Sequence, residues 1–148
     1  MPSDVVLRLM NTGHRVLVAA SAGRLGWSLG GMPVLRLTTR GRRSGRARTA
    51  MLTSPVQVGG ALVVVASRGG DDRHPAWFLN LRADPRVLVE VGGPPAVRTR
   101  ARILPDDERA ALWPQVTARY DGYAAYQRRT DRVIPLVALE PVSAEPAG

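Results

Sequence analysis

Residues 34–66 read VLRLTTRGRRSGRARTAMLTSPVQVGGALVVVA and set the architecture. Aliphatic and β-branched residues over 34–39 predict a strand, the arginine-rich run 40–46 a turn, and 48–56 a second strand. Gly59-Gly60 is a two-residue hairpin loop that tolerates positive φ. The continuous apolar, β-branched run 62–66 then predicts a buried strand. Further along, Pro75 opens a helix through Trp77 and Leu81, and Asp84-Pro85 stops it. Residues 86–91 and 96–104 form another hairpin across Gly92-Gly93-Pro94-Pro95. Pro105-Asp106-Asp107-Glu108 is an acidic helix start, suited to the helix dipole, with a bend expected at Pro114. A last apolar strand covers 134–139. About six strands with flanking helices predict a mainly β (α+β), mostly antiparallel, barrel-like sheet. A doubly wound parallel sheet is disfavoured, because helices do not alternate regularly with strands.

Ahead of this sheet, Ser3 or Asp4 can cap a helix running to about residue 20. The expected organisation is an N-terminal helical segment over 1–30, the β domain over 31–142 and a tail over 143–148. The basic, amphipathic first helix can pack on its own domain or lie on an anionic bilayer. Its apolar stretch 16–22 falls short of the ~20 residues of a membrane span. A cytoplasmic protein is expected, with peripheral contact at the inner face of the membrane permitted.

The chain of 148 residues has no cysteine, which removes disulfides, thiolate metal sites and cysteine nucleophiles. His14 and His74 lie far apart, so no metal site is expected. Every basic residue is arginine, which excludes Schiff-base and P-loop lysines. No Ser–His–Asp set can be assembled, and the paired carboxylates Asp106-Asp107 belong to a helix start. Hydrolysis therefore lacks equipment, whereas redox chemistry needs only a bound cofactor. Twenty-one basic against 12 acidic residues give a net charge of +9, which calls for an anionic partner.

Three clusters can carry chemistry. Arg36, Arg40, Arg42, Arg43, Arg46 and Arg48 stand in a run without any acid from Met32 to Arg48, with Ser44 and glycines between them. This is either a solvated basic turn or a clasp for phosphate and carboxylates. Aromatic residues make up only 5% of the chain, too few for single-strand nucleic-acid stacking, so a compact anion is favoured over nucleic acid. In the second cluster, 66–80, a buried strand ends, Gly69-Gly70 allow close backbone approach, and a helix starts with Trp77 and Asn80 on neighbouring turns. The third is Tyr120, Tyr123 and Tyr126, spaced as one aromatic stripe on a helix. A packed face is the alternative there.

In this order, the clusters resemble the deazaflavin-dependent nitroreductase family, also called deazaflavin-dependent quinone reductases. The carriers are 37–45 (LTTRGRRSG), 65–70 (VASRGG), 74–81 (HPAWFLNL) and Tyr126 through Pro135 with Thr130-Asp131-Arg132. The resemblance implies a split β-barrel that binds reduced coenzyme F420, an 8-hydroxy-5-deazaflavin with a phosphate and a polyglutamate tail. It implies that Arg42, Arg43 and Ser44 hold the phosphate and tail, with Arg48 and the backbone from Thr49, Ala50 and Met51 to Thr53 continuing the groove. Val65, Ala66, Ser67 and Arg68 would line the ring system, and Ala76, Trp77, Phe78, Leu79 and Asn80 the face near the reacting carbon. Tyr123 matches the position that donates a proton or hydrogen bond to the acceptor. Tyr120 and Tyr126 match the pocket wall, and Thr53 stands on the acceptor side where some relatives carry an aromatic. The implied reaction is hydride transfer to a quinone or nitroaromatic acceptor. A non-catalytic carrier of the same cofactor, and a flavin mononucleotide enzyme on a similar barrel, remain the alternatives.

Overall fold

The computed structural model describes residues 28–142; the expected first helix and the tail lie outside them. The described strands are β1 (Ser28–Leu29), β2 (Met32–Arg40), β3 (Ala47–Thr53), β4 (Val56–Val58), β5 (Ala61–Val65), β6 (Arg86–Val91), β7 (Val97–Ile103) and β8 (Leu136–Pro141). The described helices are α1 (Ala76–Ala83), α2 (Asp106–Arg119) and α3 (Gly122–Arg128), with a 3-10 turn at Arg68–Gly70. The eight strands form one sheet in the order β1-β2-β6-β7-β8-β5-β4, with β3 on the other side of β2. All described pairings are antiparallel, as an α+β split barrel requires.

Two strands exceed the expected six. β1 is too short to show a period, and it draws Ser28–Leu29 into the sheet, although both were expected to belong to an N-terminal helical segment. The expected strand 48–56 is two strands, β3 and β4, broken at Ser54-Pro55. Proline cannot donate to a ladder, and Ser54 instead turns the chain: its N–H donates to Pro33 O at 3.0 Å and its Oγ to Val56 O at 2.9 Å. α2 runs through Pro114 without a break in its helical pattern.

The apolar runs are continuous because their strands are buried twice. Val64 of β5 and Val137 and Leu139 of β8 point into the barrel with Leu35, Leu37, Val87, Val89 and α1's Phe78 and Leu81. Their neighbours Val63, Val65, Leu136 and Ala138 point the other way, under Val116 of α2 and Tyr123 of α3. Strands β6 and β7 have one wet face and alternate instead: Val87 and Val89 are buried while Arg86 and Leu88 are exposed. No described helix is long and apolar enough to cross a membrane.

Candidate functional site

The arginine bend is a closed loop. Gly41 N–H donates to Arg46 O at 2.8 Å, Gly45 N–H to Gly41 O at 2.8 Å, and Arg46 N–H to Ser44 Oγ at 3.2 Å. A Cβ on Gly41 would stand 2.8 Å from Ser44 Oγ and 3.1 Å from Arg46 O, so glycine lets the loop close. The closure leaves Arg42, Arg43, Ser44, Arg46 and Arg48 exposed. α1 then fixes the bend. Asn80 Oδ1 accepts from Arg42 N–H at 3.2 Å and from its guanidinium at 2.9 Å, while Asn80 Nδ2 donates to Thr39 Oγ1 at 3.1 Å. Asn80 is only 3% exposed, so it acts as a positioning residue for Arg42.

Strand alternation divides the predicted stretch 48–51 between two faces. Arg48 lies opposite Thr39 and Ala50 opposite Leu37, on the barrel side near α1. Thr49 and Met51 lie opposite Thr38 and Arg36 on the reverse side, where Met51 is buried against Val34. The four side chains therefore alternate between two faces, and what this stretch offers along one edge is its backbone.

Thr53 continues the reverse face and meets the tyrosines. Its Oγ1 lies 3.0 Å from Tyr123 Oη, and either hydroxyl can donate. The expected stripe on a single helix is corrected here. α2 ends at Arg119, Tyr120 is extended (φ −150°), and only Tyr123 and Tyr126 sit on α3. The three rings nevertheless form a cluster, edge to face, with centroids 5.0 Å apart for Tyr120–Tyr123 and 6.1 Å for Tyr123–Tyr126. Burial, partly offset by the Thr53 hydrogen bond, raises the Tyr123 pKa. Burial and then the Tyr120 phenol push Tyr126 up to about 12.

Gly122 makes room for Tyr120. A Cβ there would meet the Tyr120 ring at 2.3 Å, and the outer ring atoms can swing away. Gly122→Ala is expected to keep the fold and the cofactor affinity but displace Tyr120, raising the acceptor KM about threefold to tenfold. An unchanged KM across a panel of acceptors would remove Tyr120 from the pocket wall.

The ring side of the predicted site hangs on Arg132. Its Nε donates to Asp71 O at 2.9 Å, and one terminal nitrogen donates to both Ala66 O at 3.1 Å and Ser67 O at 2.9 Å. A further N–H meets His74 Nδ1 at 3.1 Å. The imidazole therefore accepts at Nδ1, and burial followed by the Arg132 charge lowers its pKa. His74 stacks on Phe78 at 4.7 Å, which ties the clamp to α1. Gly70 (φ +85°) lets the 3-10 turn touch α3, where a Cβ would stand 2.8 Å from Tyr126 O. Arg68 is paired with Asp71, and its side chain is 17% exposed. Arg68, Phe78 and Asn80 thus support the surface from behind, while Trp77 and Leu79 are partly open. Sequence reasoning quoted Arg132 but assigned it no role, and it missed Gly122; neither position has a local signature.

The profile of the family described as F420H(2)-dependent quinone reductase matches residues 10–141. The chain belongs to that family. An F420H(2)-dependent quinone reductase of Mycobacterium tuberculosis is 38% identical over 129 residues, covering 85% of this chain and 86% of the relative. A second from the same organism, named as a putative F420H(2)-dependent quinone reductase, is 34% identical over 110 residues, covering 74% and 91%. A solved structure of an F420-H2 dependent reductase (FDR-A) is 38% identical with a TM-score of 0.64, covering 73% of this chain and 94% of that one.

The donor set of this family member fits a deazaflavin with an anionic tail. The bend offers exposed arginines, a hydroxyl and no acid, and the buried Asn80 holds one guanidinium in place. Arg42, Arg43, Ser44 and Arg48 would hold the charged end. The strip from Ala66 to Trp77, braced by Arg132, would take the ring.

Proposed function

We propose that the chain is an F420H2-dependent oxidoreductase that reduces quinones, with nitroaromatic compounds as a second acceptor class. The observation that carries this is the acid-free arginine bend locked onto α1 by Asn80, with the Thr53–Tyr123 hydroxyl pair across the same strand pair. When bound, the reduced deazaflavin supplies the hydride. A hydride and one proton together convert a quinone to its hydroquinone.

The protein's own groups do the rest. Arg42 and Arg43 bind the anionic end and so fix the position of the ring. The Tyr123–Thr53 pair delivers the proton to the acceptor oxygen and is refilled from solvent through the partly exposed Thr53. Because burial raises the Tyr123 pKa, the phenol stays protonated through the neutral and mildly alkaline range. Peripheral contact with an anionic membrane belongs to the same proposal and rests on the basic excess alone.

The test has two parts. Oxidised coenzyme should bind at micromolar levels with a fluorescence change, and reduced coenzyme should bleach when a quinone is added. Binding without turnover by any quinone or nitro acceptor would instead identify a carrier. Tyr123→Phe should leave the cofactor Kd unchanged and lower kcat about 10²-fold. Any loss of wild-type kcat through ionisation of this phenol should set in at a higher pH than for a free tyrosine. Wild-type turnover by Tyr123→Phe would end the proton-donor role.

A further inference from the structure

The two surfaces assigned to the ring belong to separate elements. Residues 65–68 lead from β5 into the 3-10 turn, and residues 76–80 open α1. Arg132 joins them. Its guanidinium bonds Ala66 O, Ser67 O and Asp71 O on the strand side and His74 Nδ1, at 3.1 Å, on the helix side. The three carbonyls do not titrate near neutral pH, whereas an imidazole does. A guanidinium only donates, so Nδ1 must offer a lone pair and the ring proton sits on Nε2. His74 in turn stacks on Phe78 and precedes Pro75, whose carbonyl accepts from Phe78 N–H at 3.1 Å and Leu79 N–H at 3.2 Å. The histidine is thus the link between the guanidinium and the first turn of α1.

The charges around His74 favour the neutral ring. Arg132 faces it from the loop before β8, and the Arg82 guanidinium of α1 lies 5.6 Å from the Phe78 ring on which it stacks. The acids of its own loop are engaged elsewhere. Asp71 pairs with Arg68 and, at 3.7 Å, with Arg73, and Asp72 accepts from the Thr130 hydroxyl at 2.8 Å. Burial, then Arg132, then Arg82 hold the His74 pKa below its ordinary 6.5. Stability from the pair is therefore complete above pH 6.5 and is lost as pH falls through the lower folded value.

We propose that His74 is a positioning residue for the cofactor ring. Its neutral imidazole accepts from Arg132 and so holds the start of α1 against the end of β5; protonation opens the ring site. The proposal rests on the cofactor reading above. A protonated Nδ1 would aim its own N–H at the guanidinium, and two donors face to face at 3.1 Å must separate. The carbonyl bonds keep Arg132 on the strand side, so the partner displaced is His74 with the helix start. Ring affinity thereby gains an acid limb that arginines, charged throughout, cannot supply.

Calorimetric titration with a deazaflavin lacking phosphate and tail tests this on wild type, His74→Asn and His74→Phe. The asparagine amide oxygen is bonded to Cγ as Nδ1 is, and it accepts without titrating. Between about pH 7.5 and about pH 5, wild-type affinity should fall about threefold to tenfold further than that of His74→Asn. Comparing the two cancels any titration of the ligand. At about pH 7.5, His74→Asn should bind within about twofold of wild type. His74→Phe keeps an aromatic ring against Phe78 but loses the acceptor, and should bind about threefold to tenfold more weakly at both pH values. Nitrogen NMR of the ligand-free wild type needs no variant: His74 should carry its proton on Nε2 at neutral pH and titrate below a free histidine. Equal pH dependence in wild type and His74→Asn, or a proton on Nδ1 at neutral pH, would overturn the role of His74 alone. Failure of wild type to bind either this probe or coenzyme F420 would refute the cofactor reading, and the ring-positioning role with it.

Discussion

The double variant Arg42→Ala/Arg43→Ala is expected to raise the cofactor Kd by at least about 10²-fold, with little change in Tm. Each charge-assisted hydrogen bond to phosphate or carboxylate is worth about 1.5–3 kcal/mol, and the exposed setting of both arginines puts the loss at the lower end. Both side chains are exposed, so no core contact is lost. Asn80 keeps its bond to Thr39, at 3.1 Å, and loses one guanidinium partner. The loss should shrink as salt is added, because salt screens the same interaction in the wild type. Titration of oxidised cofactor at low and high ionic strength measures both effects. A change below about fivefold at low salt would mean that the bend is a solvated turn and the anion sits elsewhere.

The largest stability effect is expected at Arg132. Arg132→Ala deletes the donors to Ala66 O, Ser67 O and Asp71 O and the partner of His74 Nδ1. Carbonyls left unpaired in a half-buried site cost about 1–3 kcal/mol each, and water will reach some of them. A total of about 3–5 kcal/mol is expected, or a Tm lower by roughly 10–15 °C. The segment released is the one that would carry the ring, so affinity for a deazaflavin without phosphate or tail should fall as well. Arg132→Lys should recover only part of the stability, because a single ammonium cannot reach acceptors that a planar guanidinium spans. Thermal unfolding of the three proteins decides the matter. A lysine variant as stable as wild type would show that charge alone, rather than the fork, holds these strands.

The two arginine predictions differ in how far each residue could be read in advance. Arg42 and Arg43 stand in a run without acids, and a run is visible in one dimension. Arg132 follows Asp131 in an ordinary turn, and nothing nearby signals that it reaches back 66 residues to Ala66. The tyrosines show an intermediate case. Their spacing announced a cluster, yet spacing alone placed them on one helix. The chain instead breaks at Tyr120 and folds its ring over Gly122, and packing restores the cluster by another route. Similarly, the expected strand 48–56 ignored Pro55, where the chain turns between β3 and β4.

By itself, the amino-acid order determined the antiparallel β class, the apolar strands β5 and β8, the acid-free bend and the lack of hydrolytic equipment. Each of these is a local property: periodicity, a run of like residues, or a missing residue type. The tertiary structure alone decided which groups meet. Thr53 reaches Tyr123 across 70 positions, and Arg42 reaches Asn80 across 38. Such pairs depend on strand order and register, which arise from burying the whole sheet at once and leave no trace in the residues next to either partner.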